Sequence, residues 1–305
     1  VKSLLTTKQT YQYNTFGLSI SSEIQLPELF PTPFYGEGDV HIEVSDLTQI
    51  WEQKVSPNTQ VFVERNFVLF QIPDLAIFCI RDGNSIVFSP FLNLDLDKIR
   101  LYLLGTCMGT ILLQKKILGL HGSAIAINGK AYAFIGESGV GKSTLASAFI
   151  LQDFKLISDD VIAINFDNQN NPIMMPSYPQ QKLWKESLIK FGMDSKKYQP
   201  LFERETKFAV PVENPVKVPI ELAGVIELEV NDSDSIKYEK IKGLNKIATL
   251  FQHTYRSSFI NRLELSDWHF KETVKLLDKI QINKLSRPKN QFTAHELVAV
   301  VLDNI

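Results

Sequence analysis

The stretch from His121 to Ile150, HGSAIAINGKAYAFIGESGVGKSTLASAFI, constrains this chain more than any other. Two apolar runs, SAIAI (Ser123 to Ile127) and AYAFI (Ala131 to Ile135), flank Asn128-Gly129, a strong signal for a two-residue hairpin turn. That turn sets residue 127 against 130, and the register then carries His121 opposite Gly136. Gly136-Glu137-Ser138-Gly139-Val140-Gly141-Lys142-Ser143 matches the pattern GxxxxGK[ST] between a strand and a helix that opens at Thr144, the context the pattern requires. Glycines let backbone N–H groups wrap a phosphate, the helix N-terminus adds positive potential, and Lys142 supplies a mobile cation. Ser143 is the expected ligand of Mg²⁺. The segment predicts binding of a nucleoside triphosphate, with ATP and Mg²⁺ as the cofactors.

Phe154 to Ser158 (FKLIS) reads as a strand ending at Asp159-Asp160, one helix after the loop. Carboxylates in that position can hold Mg²⁺ or take a proton from a nucleophile. A helix cap or a solvated turn is the plain alternative, and the loop upstream favours the chemical one. An isolated His is usually a satisfied polar side chain, but the hairpin register sets His121 beside the phosphates. The antiparallel partner of the loop strand separates this sheet from those of switch and motor proteins. No NKxD guanine motif follows, and no SGGQ signature occurs.

Of the 305 residues, 44% are hydrophobic and 22% charged, with a net charge of −2. A soluble globular protein is expected, with no electrostatic footprint for nucleic acid or an acidic membrane. Cys79 and Cys107 lack metal-ligand spacing and read as buried thiols, in keeping with the cytoplasm. The longest apolar run, Leu101 to Leu113, falls short of the roughly 20 residues that a membrane span needs. The first 94 residues read as a β-rich domain, with short apolar runs at VFVERNFVLFQI, LAIFCI and SIVFSPF and a turn at Asp82-Gly83-Asn84. Residues 95–305 mix helices with strands and read as an α/β domain.

At His121-Gly122, GESGVGKS and LISDD the sequence resembles the HPr kinase/phosphorylase family, whose catalytic domain is related to phosphoenolpyruvate carboxykinase. The resemblance implies a P-loop kinase fold in which His121 assists at the phosphate, Lys142 neutralises the transferring phosphoryl group and Ser143 holds Mg²⁺. Asp160 would be the general base, with Asp159 supporting it or the metal. The family's Glu-Ile-Arg-Gly signature has its nearest counterpart in IELAG, where Glu221 stands for a metal-ligating Glu and Ala223 replaces the Arg. Across the whole chain, FGLSISSEIQLPEL, PSYPQQKLWKESL and FQHTYRSSF are similar to the branch that phosphorylates the C-terminal serine of lasso peptide precursors.

The expected activity is therefore Mg·ATP-dependent phosphorylation of a serine in a precursor peptide. Rival readings are an HPr kinase/phosphorylase of carbon regulation and a non-catalytic ATP-binding regulatory module. Lys182 and Trp184, presented by a proline-rich loop, and Arg256 are candidates for holding the peptide, with Lys207 and Arg287 as weaker ones. Neither nucleic acid nor membrane is expected as a partner, and assembly with a second copy of the chain stays open.

Overall fold

The computed structural model describes residues 10–92, 95–201 and 206–305. They form a mixed α/β fold with several sheets, divided into two compact units. The first holds the chain up to residue 116 together with 258–266, and the second holds 117–257 and 267–305. The boundary expected after residue 94 itself falls outside the described residues. The division comes at 116/117 because the helical segment from residue 95 belongs with the first sheet. There the Gln114 side chain accepts a hydrogen bond from the Gly83 amide at 2.9 Å.

The first unit is built on seven strands: β1 (Tyr11–Thr15), β2 (Leu18–Ser22), β3 (Val40–Val44), β4 (Val61–Glu64), β5 (Phe67–Ile72), β6 (Ala76–Arg81) and β7 (Ser85–Pro90). Their order is β1-β2-β3-β7-β6-β5-β4, parallel at β2–β3–β7 and antiparallel elsewhere. One face buries Leu69, Ile77, Cys79 and Val87 against Ile50 and Trp51 of helix α1 (Thr48–Lys54). Among the alternate residues, Phe78 stacks with Phe70 and Phe88, and Phe70 and Phe78 meet Tyr102, at the end of α2 (Leu96–Tyr102), with tilted rings. A π-helical turn at Leu103–Cys107 leads into α3 (Met108–Gln114), so the apolar run at 101–113 is a buried helical segment. Both cysteines are buried, and neither forms a disulfide among the described residues. No helix among the described residues is long and apolar enough to cross a membrane.

The second unit opens with the hairpin of β8 (Leu118–Ile127) and β9 (Lys130–Ile135). Its register runs from Ile127↔Lys130 to Gly122↔Ile135, as the two-residue turn requires. The phosphate loop leads from β9 into α4 (Lys142–Ile150) and on to β10 (Lys155–Phe166) and β11 (Pro172–Met175). A small sheet of β12 (Gln180–Trp184), β13 (Gln199–Pro200) and β14 (Lys207–Pro211) follows, with α5 (Lys185–Lys190) inside it in sequence. The chain then forms β15 (Ile220–Asn231), β16 (Lys237–Lys240), α6 (Asn245–Gln252), α7 (Ser257–Ile260), α8 (Ser266–Leu277), β17 (Gln281–Pro288) and α9 (Ala294–Asn304).

The main sheet has the order β11-β10-β8-β9-β15-β17-β16, and β11 also pairs with β15. The five strands β11-β10-β8-β9-β15 thus close on themselves. Side chains alternate between two cores. Leu118, Leu120, Ala124, Ala133 and Ile135 join Ile162, Met174 and Leu222 in one. Ile125, Ile127 and Phe134 join Phe149 of α4 and Val298 of α9 in the other. His121 and Ser123 continue the second row of β8, the row that faces α4.

A Cβ added at Gly122 would meet the Phe134 carbonyl oxygen at a separation that real Cβ atoms do not adopt, and would press on Ile162. Gly122→Ala is therefore expected to destabilise the second unit by about 1–3 kcal/mol, through displaced backbone in the hairpin. Urea unfolding followed by tryptophan fluorescence checks this, and an unchanged transition would contradict the packing described.

Candidate active site

The phosphate loop leaves β9 at Ile135, and its last residue, Gly141, caps α4 with φ 108°. The first amide to find a backbone acceptor in that helix is that of Leu145, bonded to Gly141 at 2.8 Å. The amides of Lys142, Ser143 and Thr144 precede it and remain for a ligand, as at any helix start. The Lys142 ammonium is buried and donates to the carbonyls of Gly136 (2.7 Å) and Glu137 (2.9 Å). Two of its three protons are so used, leaving one for the cleft. Burial lowers its pKa, against the pull of Asp159 and Asp160.

Asp159 and Asp160 lie within β10, opposite Ser123 and Gly122 of β8, and not at the end of a strand as the sequence suggested. Regular pleating would turn adjacent side chains to opposite faces. Here a register shift between Leu156 and Ser158, and φ of 75° at Asp160, break the alternation. The Ser158 hydroxyl bridges the distortion by donating to the Val161 carbonyl. Both carboxylates consequently line one cleft with His121, Lys142, Ser143 and Lys182. A non-glycine residue at such a φ carries a strain of about 1–3 kcal/mol, which the surrounding contacts must offset.

Those contacts are specific. Buried Asp159 accepts from Ser123 Oγ (2.5 Å), Ser143 Oγ (2.9 Å) and the Lys182 amide (2.8 Å). Burial nevertheless raises its pKa, outweighing the three donors. A divalent cation beside Ser143 and Asp159 would relieve that cost, so this pair fits Mg²⁺. No group of three or more His, Cys, Asp or Glu is arranged to hold a metal ion by itself among the described residues. An ion here would therefore take its remaining ligands from phosphate and water, the usual habit of Mg²⁺.

Asp160 forms an ion pair with Lys182 at 2.5 Å, and its second oxygen lies 3.5 Å from His121 Nδ1. Burial pushes this carboxyl up, but the Lys182 ammonium and His121 more than compensate and hold it well below the usual carboxylate range. Burial likewise acts to lower Lys182, and Asp160 reverses it, so the ammonium is raised. Both stay charged across neutral pH. His121 Nδ1 also lies 3.0 Å from the Asp160 carbonyl oxygen, which can only accept. That assigns the proton to Nδ1 and leaves Nε2 as an acceptor in the neutral ring, the form that burial favours.

The end of β8 beyond Gly122 loses its β9 partner where the loop departs. Residues 253–255 replace it, with His121 N–H donating to the His253 carbonyl (2.8 Å) and Tyr255 N–H to that of Gly119 (2.9 Å). His253 is buried and bonds Glu227 at 3.1 Å. Glu227 pairs with Ile135 in register and lines a second cleft with Glu137 and Gly139.

Among the residues picked from sequence, Lys182, Trp184 and Lys207 meet at the carboxylate cleft, with the Lys207 ammonium 5.5 Å from the Trp184 ring centroid. Arg287 donates to the Val140 carbonyl at 3.0 Å and borders the loop. Two stand apart. Glu221 forms an ion pair with Lys130, beside the hairpin turn and at the opposite end of the strands from the loop, so it is no ligand for a metal there. Arg256 is exposed over the Tyr255 ring and lines none of the three clefts around the loop. Ser123, Glu227 and His253 are the contributors that sequence reasoning passed over. Ser123 was within reach of it, two residues from His121 on one strand face.

No family model matches the sequence, and no curated protein matches it. Among solved structures the chain is similar to the HPr(Ser) kinase/phosphatase from Coxiella burnetii, with 15% identity over 61% of this chain and 94% of that one and a TM-score of 0.29. A likeness of that size carries no argument about substrate or mechanism.

The Lys182–Asp160 pair has a consequence for stability. A depressed carboxyl adds stability above its unfolded pKa, about 3.9, and loses it as pH falls through the folded value. A raised ammonium adds stability below its unfolded pKa, about 10.4, and loses it as pH rises through the folded value. The pair therefore stabilises the fold between those limits. Lys182→Met is expected to cost about 2–4 kcal/mol at pH 7, because Asp160, largely though not fully buried, is left without its cation. Lys182→Met with Asp160→Asn is expected to cost less than the single change. Urea titrations of both proteins measure the difference, and equal losses would contradict the pairing.

Proposed function

We propose that the second unit is a Mg·ATP-dependent kinase that transfers a phosphoryl group to a serine hydroxyl of a peptide. The observation that carries this reading is the Asp160 carboxylate, held ionised in one cleft with the Lys142 and Ser143 side chains of the phosphate loop. A P-loop alone supports binding; a carboxylate beside it supports activation of a hydroxyl.

The residues divide the task as follows. Backbone amides at the start of α4 and Lys142 bind the polyphosphate. Mg²⁺, held by Ser143 and Asp159, would neutralise phosphate charge when bound. Asp160 takes the proton of the accepting hydroxyl, and Lys182 fixes the orientation of that carboxylate. His121, with Nδ1 committed to the Asp160 carbonyl, presents Nε2 as an acceptor toward the same cleft. Positioning and charge neutralisation, rather than covalent chemistry by the protein, are what such a transfer needs.

The acceptor we favour is the C-terminal serine of a lasso peptide precursor, by resemblance to that branch of HPr-kinase-like enzymes. Two of the three stretches that carry the resemblance border the cleft: 176–188 provides Lys182 and Trp184, and 251–259 provides His253 and Tyr255 beside His121. A terminal carboxylate needs a cation near the carboxylate cleft, and Lys207 lies there whereas Arg256 does not. The absence of an Arg at Ala223 fits a one-way kinase lacking the family's reverse phosphorolysis. The HPr kinase/phosphorylase alternative gains nothing from Glu221, which sits away from the loop.

Two variants test the reading. Lys142→Ala is expected to weaken Mg·ATP about ten- to hundredfold, the worth of one or two charge-assisted hydrogen bonds. Asp160→Asn is expected to keep nucleotide affinity near wild type and to slow transfer about 10²–10⁴-fold. Calorimetric titration with a non-hydrolysable analogue reads the first, and mass spectrometry of serine-terminated peptides incubated with ATP reads the second. An Asp160→Asn protein that phosphorylates at the wild-type rate would remove Asp160 as the base.

A further inference from the structure

We propose that the residues preceding the acceptor serine lie across the small sheet of β12, β14 and β13, in a track that passes over Ala209. The proposal rests on the peptide-kinase reading and adds to it where the body of the peptide binds.

The two faces of that sheet differ. On one, Leu183, Phe208 and Val210 pack with Leu188 of α5 into a small core of their own. Side chains alternate along a strand, so Lys182, Trp184, Lys207 and Ala209 turn to the other face. One row on that face is Lys182, Ala209 and Gln199, neighbours across β12, β14 and β13. A second row is Trp184 and Lys207. Lys182 is the ion-pair partner of Asp160, and Trp184 and Lys207 line the carboxylate cleft. The face is therefore a continuation of the cleft wall. It runs from the buried Lys182 on β12, past half-buried Ala209, to exposed Gln199 on the outer strand β13.

The other walls are taken. Gly122, Ser123, Asp159 and Asp160 of β8 and β10 form the floor, and the phosphate loop with the start of α4 holds the nucleotide. Beyond His121 stands Tyr255, buried, its ring 6.0 Å from the imidazole. A serine whose hydroxyl meets Asp160 thus directs the rest of its chain past Lys182 and onto the sheet.

The residues of the face suit that occupant. Ala209 is the small member of its row, between the long side chains of Lys182 and Gln199, so the row dips where a chain must cross. Lys182, Trp184, Lys207, Ala209 and Gln199 include no acid, in keeping with a chain that ends in a carboxylate. Two strand spacings of about 4.8 Å separate Lys182 from Gln199, the reach of about three extended residues. The track therefore reads the residues just before the serine and nothing beyond them.

The test measures steady-state phosphorylation of two synthetic acceptors, alanyl-serine and pentaalanyl-serine, by the full chain. The dipeptide reads the cleft alone; the lower KM expected for the hexapeptide reads the track. Ala209→Tyr, which raises a ring in the path, is expected to increase the hexapeptide KM about tenfold and to leave the KM of ATP and of the dipeptide unchanged. Its dipeptide turnover also shows that the variant is folded. Ala209→Ser, which keeps the dip, is expected to behave as wild type, and so is Arg256→Ala. A hexapeptide KM unchanged in Ala209→Tyr, or equal losses on both peptides, overturns the track and leaves the kinase reading standing. So does a wild type with the same KM for both peptides, or a loss confined to Arg256→Ala. A wild type that binds Mg·ATP and phosphorylates neither peptide overturns the peptide reading and the track with it.

Discussion

Asn128 and Gly129 both adopt positive φ, 50° and 77°, and the geometry of that turn governs everything built above it. A two-residue turn of this kind matches the twist of the strands that it joins. It fixes which residue of β8 faces which residue of β9 as far as Gly122 and Ile135. Because side chains alternate along a strand, it also fixes the face toward α4, and so places His121 and Ser123 beside the loop that β9 launches. A slip of one residue would exchange the two cores and carry His121 to the other side of the sheet.

The site then departs from regularity at one strand. β10 pairs with β8 along its length, yet it shifts register before Ser158 and takes a left-handed conformation at Asp160. The distortion brings two adjacent carboxylates to one cleft, where an undistorted strand would show one. Three donors on Asp159, and the Lys182 ammonium and the His121 ring on Asp160, hold the arrangement. Both the amide and the ammonium of Lys182 take part, so β12 is the element that the distortion depends on most.

How much of this was legible in the sequence follows from how local each signal is. The loop, its strand and helix, and the hairpin register depend on a few adjacent residues, and Asn128-Gly129 and GESGVGKS state them outright. The distortion of β10 that turns Asp159 and Asp160 to one cleft depends on contacts with Lys182 and Ser123, far away in the chain, so the pair read as the end of a strand. Glu221 followed from alignment to a signature; the closure of β11 on β15 puts that end of the strand away from the loop. Glu227, six residues on, is the acid that reaches the loop. His253 enters through a backbone carbonyl, which no side-chain pattern announces. The change from strand to helix at residue 95 was visible; that the helices belong with the first sheet was not, since an apolar face does not name its partner.

The buried Lys182–Asp160 pair couples basicity to anion occupancy. While the ammonium serves the carboxylate alone, Asp160 is held far below neutrality and is a poor proton acceptor. An anionic phosphoryl group brought into the same cleft shares that ammonium and loosens its hold on the carboxylate. The base then strengthens only once the donor is seated. On the reading favoured here this favours an ordered sequence, with nucleotide before acceptor. It also limits the chance that water, entering in place of the peptide, is activated.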